Sequence, residues 1–229
     1  MEIDVWDEVK AAILAERQFS LNQYNGQLQT DHPVDIIRGA NSVLLSVPHA
    51  TNHWRNNKLK YADRYTGALG LLLQRKTNCS LIYTNRFHHA DPNYDLDGIY
   101  KHALAGLLAD LPIRCVIDLH GAGSKRPFDI DLGTRLGTSI NASAVEKIKR
   151  LFIEHGITEV KENHTFTAMN PGTITTFCSN HCNTEAIQIE INGKYRSPLQ
   201  SPSEFRRLVR SLVDMIAYLE VGESTDGFL

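Results

Sequence analysis

Cysteine is scarce and unpatterned, with four in 229 residues. That is no disulfide framework, and it points to reduced thiols. Glycine (15) and proline (8) are also few, which excludes collagen-like, mucin-like and linker-rich chains. No run reaches the roughly 20 apolar residues of a membrane span. Neither sign of charge dominates, since 24 Lys and Arg stand against 26 Asp and Glu. An electrostatic footprint for nucleic acid is therefore missing. No G-x-G-x-x-G and no glycine-rich loop ending in GK[ST] follows an early strand. The opening MEIDVWDEVKAAILAERQF lacks the basic-then-apolar order of a secretory signal. A cytoplasmic protein with a small-molecule partner, and no nucleic-acid or membrane partner, is expected.

What is there is globular: 42% hydrophobic and 22% charged residues, enough to build a core. Residues 4–18 read as a helix, 34–37 as a short apolar run and 42–47 (SVLLSV) as a buried strand. Residues 49–62 are polar and irregular, and a helix is expected from Asp63 to about Gln74. Strands follow at 80–84 and 113–119, separated by the loop 85–97 and a helix over 98–110. Residues 128–132 are expected as an edge strand and 157–160 as one more short strand. The i, i+3, i+4 spacing of Val145, Ile148, Leu151 and Phe152 marks a helix over 142–155. A strand lining a cleft is expected at 173–177, a strand at 186–191 and a last helix at 203–219. Alternating strands and helices predict one domain, 1–229, built as a predominantly parallel or mixed sheet covered by helices.

In such folds ligands collect where strands open into loops. His49 follows the strand SVLLSV, and Arg86, His88, His89, Asp91 and Asn93 follow SLIYT. His120 follows CVIDL, and Glu190 lies near the end of AIQIEI. Two histidines with a carboxylate form a common hydrolase zinc set. His49 and His120 suit it, with Asp63 or His53 as the third member. Asp63 read locally is a helix cap. Asp118 lies two residues from His120 and shares its strand face, so one of the two can bind an ion while the other orients a neighbour, unless Asp118 simply caps a loop amide. Glu190 is either a proton-transfer group or half of an ion pair with Lys194 or Arg196. Cys178, His181 and Cys182 (CSNHC) lack the spacing of a zinc knuckle.

The order of SVPHA, ADRYTGAL, NRFHHADPNYD, IDLHG, DIDLGT and IQIEINGKYR resembles the N-formylglutamate amidohydrolase family. The resemblance spans about residues 40–200. It implies a three-layer α/β/α sandwich with a mixed, mostly parallel sheet, like that of the zinc carboxypeptidases and their acylase relatives. It further implies one zinc or other divalent ion held by His49, Asp63 and His120, with Glu190 acting on water. By the same resemblance Arg86 steadies the oxyanion or holds a substrate carboxylate. Asp91, Asn93, Tyr94 and Arg196 then line the substrate site.

The implied activity is hydrolysis of a C–N bond in an N-acylated amino acid or similar small amide. A metal-binding but non-catalytic sensor, and a zinc esterase or deacetylase, are the alternatives. Two segments depart from the family pattern. Tyr94 stands where the family has an arginine after the Asn of its D-x-N-R, and Asn170–Thr175 differs from its G-G-y-[IT]-T segment. An arginine fork pairs with a carboxylate as a phenol cannot. Its loss predicts weaker hydrolysis of N-formylglutamate than of a less acidic amide, unless Lys125, Arg126 or Arg196 restores the charge.

Overall fold

The computed structural model describes residues 5–222. The elements run α1 (Val5–Tyr24), β1 (Val34–Ile37), β2 (Val43–Val47), β3 (His53–Arg55), β4 (Lys58–Lys60) and α2 (Thr66–Thr77). They continue β5 (Ser80–Thr84), α3 (Ile99–Asp110), β6 (Cys115–Ala122), β7 (Ile130–Gly133), α4 (Ala142–Glu154) and β8 (Val160–Glu162). Last come α5 (Ile174–His181), β9 (Glu185–Asn192) and α6 (Pro202–Val221). Among the described residues no helix is long and apolar enough to cross a membrane.

Among the described residues seven strands form one sheet in the order β1-β5-β2-β6-β9-β7-β8. The four central strands β5, β2, β6 and β9 are parallel. β1 and β7 run antiparallel to their inner neighbours, and β8 runs parallel to β7. The result is the mixed, mostly parallel α/β/α sandwich that the sequence implied.

Side-chain alternation along the central strands divides the interior in two. Leu45, Val47, Ile117, Leu119, Ile187, Ile189 and Ile191 enter the larger core with residues of α1, α2, α4 and α6. Leu44, Val116 and Ala186 enter a smaller core with residues of α3 and α5. On that second face each central strand turns polar toward its C-terminal end: Leu44 gives way to Ser46, Val116 to Asp118 and His120, Ala186 to Gln188 and Glu190. All five polar residues are buried. The apolar half of the face packs under helices, and the polar half is left to a cleft.

Several expectations need correction. Residues 49–62 hold the β3–β4 hairpin, whose loop residues Asn56 and Asn57 both have positive φ (51° and 58°), as a tight primed turn requires. Residues 173–177 are not a strand: Thr173 caps α5 by accepting from the Thr176 N–H at 3.2 Å. β7 is interior, paired with both β9 and β8. β6 continues through His120 to Ala122 because β9 pairs with it over its whole length.

α1 also carries a buried carboxyl, Glu16. Its Oε1 accepts from the Tyr65 N–H (2.8 Å) and the Tyr24 hydroxyl (2.9 Å), while Oε2 has no partner. Burial pushes its pKa up to about 7, against the opposing pull of those hydrogen bonds. The folded protein thus keeps a proton that the unfolded chain, with an ordinary Glu pKa near ~4.3, releases. This contribution to stability is present at low pH and is lost as pH rises toward 7. Glu16→Gln cannot titrate. Its stability relative to wild type should rise between pH 4.5 and 7, by on the order of 3 kcal/mol, and stay level above. Urea unfolding at pH 5 and pH 8 reads the difference, and equal differences at both values would refute it.

Candidate metal centre and active site

The site is built chiefly by the pairing of β6 with β9. In register, Asp118 lies beside Gln188 and His120 beside Glu190, so all four side chains share the polar half of the second face. β2 delivers His49 through the turn after Pro48. Asp63 precedes α2, and its side chain caps nothing there. Its Oδ2 instead accepts from the Gly121 N–H at 3.0 Å, and its Oδ1 pairs with Lys60 Nζ at 2.9 Å.

Three donor atoms converge. His49 Nδ1 and His120 Nδ1 are 3.1 Å apart, and Asp63 Oδ2 lies 3.3 Å from the first and 3.5 Å from the second. Each imidazole is held at its far nitrogen by a buried carboxylate. His49 Nε2 meets Asp91 Oδ1 at 2.8 Å, and His120 Nε2 meets Asp118 Oδ2 at 2.9 Å. Such partners keep the proton on Nε2 and leave the Nδ1 lone pair free, the arrangement found behind metal-bound histidines. Asp118 is itself fixed by the Ser46 hydroxyl (2.9 Å), which also bonds to the Tyr100 hydroxyl (3.0 Å).

Two lone pairs and a carboxylate oxygen facing one another repel unless a positive charge lies between them. The protein alone answers with a proton. Burial opposes it, yet Asp118, Asp63 and Glu190 raise His120 to about 10. Two imidazole nitrogens and one carboxylate oxygen also fit a divalent ion such as zinc, with room for a further ligand.

His53 packs behind this set. It stacks on His49 with ring centroids 4.5 Å apart, and burial and the neighbouring His49 lower it to about 4. With His49 and Asp91 it makes a second group of converging donors. Arg55 Nε already donates to Asp91 there, so a guanidinium holds the place of a cation. CSNHC lies on and just past α5, with Cys178 buried in the smaller core, and forms no metal group among the described residues.

Glu190 is buried, and Gln188 Nε2 donates to its Oε1 at 3.1 Å. Burial pushes its pKa up to about 7. Neither basic residue suggested for an ion pair reaches it. Lys194 pairs with Asp129, and Arg196 donates to the carbonyls of Ile191, Arg64 and Ala122. Arg196 therefore fastens the chain behind the site and does not line it. It passes so close to Gly121 that a Cβ there would lie 2.4 Å from the guanidinium carbon.

The cavity in front of these groups measures about 410 Å³ and is bordered by Arg55, Lys60, Asn93, Tyr94, Arg126 and the segment 165–170. Two further expectations change, those for Arg86 and Asp91. Arg86 is not on this wall; it donates to the Thr30 carbonyl behind it. Asp91 lies beneath His49 and orients it, out of reach of a substrate. Asn93 is at the wall, but its carboxamide oxygen is spent on the Ile174 N–H (2.7 Å). Sequence reasoning passed over Arg55 and Asp131. Asp131 pairs in register with Glu190 and accepts from the backbone N–H groups of His164, Thr165 and Phe166 (3.0, 2.7 and 2.9 Å), shaping the far wall.

Fold and site together define a mixed-sheet α/β protein with a buried two-histidine, one-carboxylate cluster competent to bind a metal. No family model and no curated protein sequence matches the chain. Solved structures do. The chain is similar to an N-formylglutamate amidohydrolase from Ralstonia eutropha JMP134, at 15% identity and a TM-score of 0.63 over 83% of this chain and 99% of that one. It is similar to a gene product of Agrobacterium tumefaciens at 12% identity and a TM-score of 0.59, over 82% and 94% of the two chains. A bacteriophage poly-gamma-glutamate hydrolase aligns at 16% identity and a TM-score of 0.52, over 82% and 90%. These likenesses are of fold, and they include the family that the motif order resembles.

His49→Ala and His120→Ala should each purify with little bound zinc. Asp118→Asn should bind it roughly 10- to 100-fold more weakly, the usual cost of losing such a partner. Elemental analysis and titration against a chelating dye read both effects. Full zinc content in both alanine variants would move the ion elsewhere.

Proposed function

We propose that the protein is a metal-dependent hydrolase that cleaves the C–N bond of an N-acylated amino acid or similar small amide. The observation that carries this reading is the convergence of His49 Nδ1, His120 Nδ1 and Asp63 Oδ2 at one point beside the buried carboxyl of Glu190. A zinc or similar divalent ion held by those three atoms supplies Lewis acidity toward the scissile carbonyl and lowers the pKa of water.

The residues of the chain do the rest. Glu190, carboxylate turned to the cavity and steadied by Gln188, takes a proton from the attacking water. It returns that proton to the leaving nitrogen as the C–N bond breaks. A carboxyl with a pKa near 7 both accepts and releases a proton at neutral pH. Asp118 and Asp91 keep His120 and His49 in the tautomers that present Nδ1. The volume of about 410 Å³ suits a small substrate. A non-catalytic sensor would have no use for a buried, unneutralised glutamate at this place, which favours catalysis.

The test is a hydrolysis screen of zinc-loaded protein on N-formyl, N-acetyl and N-succinyl amino acids and the corresponding esters. Glu190→Gln keeps shape and hydrogen bonding but cannot accept the proton. Its kcat on any working substrate should fall by at least ~100-fold, with zinc content unchanged. Undiminished turnover would remove Glu190 from the chemistry, and cleavage of esters alone would select the esterase reading.

A further inference from the structure

The cations around the cavity are not equivalent. Lys60 is engaged by Asp63 and by the Tyr61 carbonyl (3.2 Å). Arg196 and Arg86 are spent on backbone carbonyls away from the wall. Arg126 is exposed and lies over the Phe166 ring, 5.3 Å from its centroid, with no carboxylate to hold it. Arg55 differs from all of these. Its Nε is anchored on Asp91, and its guanidinium carbon lies 5.1 Å from the centroid of the Tyr94 ring. Its two terminal nitrogens have no hydrogen-bond partner among the described residues, although the side chain is only 33% exposed. The Tyr94 hydroxyl accepts from the Asn56 amide at 3.0 Å, so its own proton is available to a ligand.

We propose that Arg55, carried by the β3–β4 hairpin and backed by the ring of Tyr94, is the residue that reads a carboxylate on the substrate. This rests on the amide-hydrolase reading above and names its substrate class: an acylated amino acid bearing a carboxylate away from the bond that is cut. A guanidinium fixed at Nε presents its two remaining amino groups as a parallel pair, which matches the two oxygens of a carboxylate. Stacking on the aromatic face holds the plane of the fork, so little side-chain freedom remains to be lost on binding. Tyr94 on this account is the platform for the charge. The acidic substrate that an unassisted tyrosine would disfavour is accepted.

The experiment compares zinc-loaded wild type, Arg55→Met and Arg55→Lys on N-formylglutamate, its γ-amide and its α-amide. Wild type should prefer the diacid over one of its amides. In Arg55→Met that preference should collapse toward unity. KM for the diacid should rise about 30-fold or more, and kcat should stay within about threefold, as expected for a lost substrate ion pair. Arg55→Lys, which keeps the charge beside Asp91 but not the fork, should recover part of the preference. If Arg55→Met loses its zinc, the judgement passes to Arg55→Lys, for which full wild-type preference and KM overturn the proposal. A fall in kcat of equal size on diacid and amides, with the preference intact, would overturn it and make Arg55 a group that acts on the oxyanion. Should wild type cleave none of the three, the hydrolase reading falls for these substrates and Arg55 is judged by calorimetry. Stronger binding of glutamate than glutamine that vanishes in Arg55→Met sustains the proposal, and equal binding of the two by wild type overturns it.

Discussion

Lone pairs aimed at one point repel, and a fold that aims three of them there must hold them against that repulsion. In this protein the three belong to His49, His120 and Asp63, and much of the surrounding architecture serves to keep them in place. His120 cannot swing away because it is a residue of a central strand, paired there with β9, with Asp118 gripping its far nitrogen. His49 is held from behind by Asp91 and covered by the ring of His53. Asp63 is pinned by a backbone N–H from the very strand that carries His120. An ion entering this space takes the place of the proton that holds these groups together in its absence, and it finds the ligands already organised by the fold.

The sheet accomplishes this by being two-faced in an uneven way. One face is apolar along the full length of its central strands and packs under four helices. The other is apolar for only half that length and packs under α3 and α5. A buried polar residue needs partners, and on the uncovered half the partners are one another: Ser46 with Asp118, Asp118 with His120, Gln188 with Glu190. Parallel pairing of β6 with β9 brings an acid and a histidine that are 70 positions apart in the chain to adjacent places on one surface. A slip of one residue in that register would turn Glu190 into the large apolar core. The geometry of the buried cluster and the strand register are therefore a single constraint.

This explains what could be read from the chain before folding. Strand periodicity exposes Glu190 and Gln188 as polar residues on one face of an otherwise apolar segment, and His120 and Asp118 likewise. The alternation of elements exposes the layered fold. Asp63 was legible only through the family resemblance, because locally it looks like a helix cap. Arg86 was misplaced because a long side chain at the start of a loop can turn either way, and the turn toward Thr30 depends on a distant segment. The hairpin was missed because three-residue strands carry too few residues for a period. Its Asn-Asn turn is a weaker signal than Asn-Gly, although both asparagines adopt the left-handed conformation. The start of α5, Thr173–Thr176, is β-branched and suits a strand or a helix until Thr173 caps the helix.

The hairpin is also where the metal-competent centre and the cavity wall become one object. His53, Arg55 and Lys60 all come from it, and each reaches a different part of the site: the ring behind His49, the carboxylate of Asp91, and Asp63. Asp91 is the shared member. One of its oxygens accepts from His49 and from the Asn93 N–H, and the other accepts from Arg55. A group at the cavity wall that draws on Arg55 thereby changes the demand on the same carboxylate that orients His49. The hairpin is a sheet of its own, so its residues reach the cluster without taking part in the strand pairing that fixes His120 and Glu190. The near wall of the cavity is therefore set on the hairpin, while the places of His120 and Glu190 are set by strand pairing.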